Sequence, residues 1–176
     1  MQVVTRWKNQ FAAIGGVILA AGFFVSTQSP VQAQAAYGSY IGAGAAFGVT
    51  NGGGGPSEDY NTSGSFAVRY KFLRAPISLR TQVLVGGNGV AVVPTVSYDI
   101  PINWQGDAYI AAGASIVRGD NTPIGNKNSF VIQPGVDYSL PNTSLMLYTN
   151  AIVAFDGYKS SNGTAVSIQA GAGLRF

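Results

Sequence analysis

From Tyr37 to the end of the chain, apolar and polar residues alternate in eight runs of about ten residues, separated by clusters of Gly, Pro, Asn and Asp. Period two puts successive side chains on opposite faces of an extended backbone, so each run reads as a strand with one apolar face. Phe66, Val68, Tyr70 and Phe72 alternate with Ala67, Arg69 and Lys71. Ile77, Leu79, Thr81, Val83 and Val85 alternate with Ser78, Arg80 and Gln82. The last run sets Val166, Ile168, Ala170, Ala172, Leu174 and Phe176 against Ser167, Gln169, Gly171, Gly173 and Arg175. The seventh, Leu145 to Phe155, is blurred by Met146 and Ile152 on its more polar face. Gly86-Gly87-Asn88-Gly89 reads as a tight hairpin. Pro94 and Pro134 fall inside runs and predict bulges or shortened strands there, because proline removes a ladder donor.

Eight antiparallel strands, each close to the roughly 9–11 residues that cross a bilayer when tilted, predict an all-β, eight-stranded antiparallel up-and-down transmembrane β-barrel. Lipid requires closure, since an open sheet edge leaves backbone groups without partners. Charged residues are only 10% of the chain, against roughly 25% in soluble domains. Alternation alone does not say which face is outside: a soluble lipocalin-like periplasmic binder also has eight strands and buries the apolar face inward.

The first residues read as an address. Arg6 and Lys8 precede an apolar stretch from Phe11 to Val25, then a polar, Pro-containing segment and the small residues around Ala33 and Ala35. This is the order of a secretory signal peptide, with cleavage after Ala33 or Ala35 fitting equally well. The expected organisation is a cleaved signal over 1–35 and a barrel over 36–176, exported to the cell outer membrane. Without Arg6 and Lys8, eight basic residues face seven acidic ones. That balance, with no Lys/Arg stripe, argues against a nucleic-acid partner.

Two features favour the lipid-facing assignment of the apolar face. With a periplasmic N-terminus, Phe47, Phe66, Phe130 and Phe155 fall near outer strand ends, and Tyr37, Phe72, Tyr98, Tyr138 and Phe176 near periplasmic ends. Two aromatic girdles suit the two membrane interfaces. The second feature is the C-terminal run Gln169-Ala-Gly171-Ala-Gly-Leu174-Arg-Phe176. It resembles the β-signal of bacterial outer-membrane proteins: polar, Gly, apolar and a terminal aromatic at set spacing. The mature chain as a whole resembles the small OmpA/OmpX-type barrels, including the opacity-protein relatives. That resemblance implies a lipid and lipopolysaccharide environment, and reading of Gln169, Gly171, Leu174 and Phe176 by the barrel-assembly machinery. The strands contain no Glu, so a Glu–Arg gate does not carry over.

The chain has no His and no Cys. The lipid A-modifying barrels and the larger phospholipase and omptin barrels use a His for proton transfer, so no enzyme is expected. No cofactor or metal motif is present; Gly53 to Gly55 lacks the strand–loop–helix setting of a phosphate cradle. Arg69, Lys71, Arg80, Asp99, Asp107, Asp137 and Arg175 are expected as an inward charge network filling a lumen too narrow for a channel. The competing reading is a small gated porin, kept open by the many inward Gly and Ala positions of strands one, five and eight. Any surface partner would meet the polar loops 51–62, 118–127 and 156–163, expected to be solvated.

Overall fold

The computed structural model describes residues 38–50, 62–86, 88–160 and 163–176. The segment 1–35, Tyr37 and most of the 51–62 loop lie outside them. Eight strands follow in order: β1 (Tyr40–Gly48), β2 (Thr62–Lys71), β3 (Ile77–Gly86), β4 (Gly89–Pro101), β5 (Gly106–Gly119), β6 (Ser129–Ser139), β7 (Leu145–Phe155) and β8 (Ala165–Arg175). Each pairs antiparallel with its sequence neighbours, and β8 returns to β1, so the barrel is closed. Tyr40 lies opposite both Arg69 and Arg175, so the first and last strands share one end, here called the near end. The near end carries the turns 72–76, 102–105 and 140–144, and the far end the other connections.

Every strand keeps its period-two pattern, and most of the large apolar side chains point out. Ile41, Phe66, Leu79, Val96, Ile110, Val136, Leu147 and Leu174 are all exposed, while Arg69, Arg80, Gln82, Asp99, Gln133 and Asp137 are buried. This inverts the burial of a soluble barrel and excludes the lipocalin-like arrangement. Met146 and Ile152, which blur the seventh run, are buried inside.

The prolines do not act as expected. Pro94 and Pro134 point outward in unbroken strands of 13 and 11 residues. The β4–β5 register is the same before and after Pro94, from Val92↔Ile116 to Thr95↔Gly113. The β6–β7 register likewise continues from Ile132↔Val153 to Gly135↔Asn150. A proline removes one donor on one side only, so each ladder skips a step without a bulge. The fifth strand is also longer than expected: Arg118 pairs with Val90 instead of opening the loop.

The β1–β8 seam is distinctive. Four consecutive facing pairs are Gly42↔Gly173, Ala43↔Ala172, Gly44↔Gly171 and Ala45↔Ala170.

Candidate functional site

The lumen is the site that sequence reasoning singled out, and its side chains fall into layers. At the near end, adjacent strands deliver Arg69 and Arg80 to three aspartates. Arg69 Nη1 lies 2.8 Å from Asp137 Oδ2, and its Nη2 lies 2.8 Å from Asp99 Oδ2 and 3.0 Å from Asp107 Oδ2. Arg80 Nη2 is 2.8 Å from Asp137 Oδ2 and 3.2 Å from Asp99 Oδ1. Lys71 Nζ closes the set 2.6 Å from Asp107 Oδ2. Three cations meet three anions, so the cluster is neutral. The remaining hydrogen-bonding capacity goes to hydroxyls. Arg69 Nε donates to Ser78 and Arg80 Nε to Ser97, and both serines donate to Asp99. Buried charges are tolerated only when paired and hydrogen-bonded in this way.

Three tyrosines frame the cluster. Tyr40 donates to Asp137 at 3.2 Å and stacks on Tyr148 with centroids 5.7 Å apart. The Arg80 guanidinium carbon sits 3.3 Å from the Tyr109 ring centroid, a cation–π contact. Tyr109 faces Gly135 and Tyr148 faces Gly171 across their ladders. A Cβ on Gly135 would lie 2.5 Å from the Tyr109 ring, and one on Gly171 would overlap the Tyr148 ring. The inward glycines of β6 and β8 are therefore slots for tyrosines, not open water space. Of the three strands whose small inward residues kept the porin reading open, β8 thus gives its Gly171 position to Tyr148.

Toward the far end the lumen is mainly apolar, with the buried Ser63, Ser115 and Ser167 set among the hydrocarbon. Ala46, Leu84, Ala91, Val93, Val117, Val131, Ile152, Ala154 and Ala165 form one buried cluster. Ile124, from the β5–β6 connection, is fully buried in it. This corrects the expectation of a solvated loop at 118–127: Thr122, Pro123, Ile124 and Gly125 are buried and stop the far mouth. The turn is held by Thr122 Oγ1 bonding to the Gly125 carbonyl, with Gly125 at φ 93°, a left-handed conformation suited to glycine. Asn126 and Lys127 donate from their backbones to Gly157, and Lys159 N to Asn126 Oδ1. Tyr158 reaches Thr50 at the end of β1. The connections thus form one cap. Ile124→Asp is expected to expel the loop, because a lone carboxylate in this layer costs several kcal/mol. Limited proteolysis within 119–128 then accelerates by about tenfold or more, while the barrel keeps its heat-modifiable mobility on gels.

Six of the seven expected lumen charges come together. Arg175 does not join their ion pairs: it is held at the near rim by the Thr143 carbonyl, because strand eight ends there. Of the expected girdle residues that are described, Phe47, Phe72, Tyr98, Phe130, Tyr138, Phe155 and Phe176 point outward from strand ends. Phe66 points outward too but lies mid-strand, four residues below the far end of β2. In the C-terminal run, Gln169 and Gly171 face the lumen, and Leu174 and Phe176 face out. Sequence reasoning missed Tyr40, Tyr109, Tyr148 and Ile124. Tyr40 and Tyr109 carried a signal, since each is an aromatic on an otherwise polar or small-residue face, whereas Tyr148 shares its face with Met146 and Ile152.

A closed, outwardly apolar barrel with a charged and filled interior defines the class: an eight-stranded transmembrane β-barrel. Among solved structures, the chain is similar to Ail, the attachment invasion locus protein of Yersinia pestis. The TM-score is 0.55 at 18% identity, over 78% of this chain and 97% of Ail. It is similar to Neisserial surface protein A, with TM-score 0.55 at 16% identity, over 78% and 97% of the two chains. A de novo designed transmembrane β-barrel gives 0.55 at 11% identity, over 79% and 96%. The likeness is one of fold. No family model and no curated protein matches the sequence.

Proposed function

We propose that the chain is a non-enzymatic integral outer-membrane barrel with a structural or surface-interaction role, closed to ions and solutes. The observation that carries this reading is the double filling of the lumen: an apolar layer stopped by Ile124 at one end, and the Arg69–Arg80–Asp99–Asp137 cluster at the other. A closed interior leaves the two rims and the lipid face as working surfaces. The near end is then periplasmic and the capped far end is the cell surface, with residues 1–35 as the export signal. Lipid and lipopolysaccharide surround the exterior, between girdles from Phe47, Phe130 and Phe155 on one side and Phe72, Tyr98, Tyr138 and Phe176 on the other. The run from Gln169 to Phe176 serves as the assembly signal.

Ail has been solved with the heparin analogue sucrose octasulfate. We do not extend an anionic ligand to this chain. Lys127 is paired with Asp156 at 2.5 Å and Lys159 approaches Asp120 at 3.7 Å, so both described cap lysines face carboxylates. A surface partner would meet the cap of loops 118–127 and 156–163, together with 51–62.

Two measurements test the proposal together. Protein refolded into detergent is expected to run faster unboiled than boiled, and to give no conductance steps in planar bilayers. Protein that stays soluble without detergent would overturn the membrane assignment. Stepwise conductance would overturn the closed interior.

A further inference from the structure

The near mouth of the barrel holds two clefts, of about 480 and 230 Å³, which share Trp104, Gln105 and Ser139 in their walls. The larger runs between the turns 102–105 and 140–144, with Arg175 beside it. Its volume falls within the roughly 300–1,000 Å³ of small-ligand sites. The smaller descends to Lys71 and Asp107, the most exposed pair of the charge cluster. Trp104 stands where the two meet, and it is 92% exposed, more than any other large hydrophobic residue described. Ile100 and Ile102 continue the outward stripe of β4, and both are exposed. Trp104 instead shares its smaller cleft with Asp137 and Met146, which are buried in the lumen. The indole borders the mouth.

Both walls are tied down by hydrogen bonds. Asn103 Oδ1 accepts from the backbone N–H groups of Gln105 and Gly106, at 2.9 and 2.7 Å. Across the cleft, Thr143 Oγ1 donates to the Leu140 carbonyl at 3.2 Å and accepts from the Leu145 N–H at 3.1 Å. Ser139 N–H donates to the Gln105 carbonyl at 2.7 Å and joins one wall to the other. A large aromatic ring is thus held in a fixed place while burying little of its own surface. Barrel stability gains little from that, because an aromatic side chain contributes mainly through the area it buries.

We infer that the larger cleft is a binding site for a neutral saccharide, with Trp104 as the platform for one face of a sugar ring. A sugar ring has a C–H face that suits an indole and a hydroxyl edge that needs donors and acceptors. The amides of Gln105 and Asn142 and the hydroxyl of Ser144 line the cleft beside the ring and supply both. Arg175 is the one charged side chain in its lining, and it already donates to the Thr143 carbonyl, so the ligand has no required charge. An extended peptide would look for an open sheet edge, and the closed barrel has none. The inference rests on the barrel reading only in taking the near rim as a working surface.

Tryptophan fluorescence tests it. In Trp7→Phe, Trp104 is the only tryptophan of the chain. This variant, in phosphatidylcholine nanodiscs free of sugar-headed detergent, is titrated with chitotetraose and, separately, with maltotetraose. Without sugar, Trp104 is expected to emit as a water-exposed indole and to resist quenching by brominated lipid. At least one of the two sugars is expected to give a saturable blue shift. Adding Gln105→Ala and Asn142→Ala should weaken that binding by about tenfold or more, since two side chains that hydrogen-bond the sugar are lost. Heat-modifiable mobility on gels shows that each variant keeps its barrel, so a failed fold is not read as failed binding. No saturable response to either sugar would overturn the inference, as would an unchanged response in the amide variant. Strong quenching by brominated lipid would also overturn it, by placing the ring in the membrane interface.

Discussion

Arg69→Met is expected to destabilise the folded barrel by about 3–5 kcal/mol, because it leaves Asp99, Asp107 and Asp137 sharing only Arg80 and Lys71 in a largely buried cluster. Arg69 has no exposed surface and, among the described residues, is the one that bonds to all three aspartates. A urea titration of protein folded in lipid vesicles reads the loss as a lower midpoint. Removing a carboxylate as well should restore balance. In Arg69→Met/Asp137→Leu, two cations again face two anions, and the double variant is expected to be more stable than the sum of the two single losses by about 0.5–3 kcal/mol. Strict additivity would show that the cluster is held by packing and not by charge. Arg69→Lys keeps the charge but loses the fork that reaches Ser78, Asp99 and Asp137 at once, so it should fall between the parent and Arg69→Met.

The second large effect belongs to the exterior. Val96 lies on the outward face in the middle of β4, opposite Leu79. Val96→Arg is expected to cost about 2–4 kcal/mol in a bilayer, the depth-dependent penalty for a cation at the midplane of a barrel's lipid face. The same substitution at Ser144, exposed in a near-end turn, should cost less than about 1 kcal/mol. Equal losses at the two positions, measured in the same vesicles, would contradict a lipid belt around the strands.

Much of this architecture is legible in the sequence, because period two is a purely local signal. Arg69 and Lys71 share a face whatever the register, and so do Ser78, Arg80 and Gln82, which is enough to assemble the inward charges. Register is what the sequence does not show. Tyr109 opposite Gly135 and Tyr148 opposite Gly171 depend on long-range pairing, so Gly171 reads equally well as empty space. Pro94 and Pro134 misled for a related reason: the cost of a missing donor depends on which neighbour it faces. The cap was hidden differently. Pro123 and Ile124 are two apolar residues in a polar connection, and only the buried hydrocarbon beneath them explains why they are there. Arg175 lies on the inward face as expected, but a strand's last residue meets the rim before it meets the cluster.

The Gly–Gly and Ala–Ala pairs between β1 and β8 bear on how such a barrel comes to be. Joining the first strand to the last spans the greatest separation along the chain, and it is the step that turns a curved sheet into a tube. Along these four pairs there are almost no rotamers to order, since Gly and Ala lose little or no side-chain entropy. Nothing bulky stands between the two backbones either. The ion pairs belong to β2–β6, away from the seam, and of the three tyrosines Tyr40 alone stands on a closing edge, at the near end, so closure can come last and run like a zip along the small-residue track.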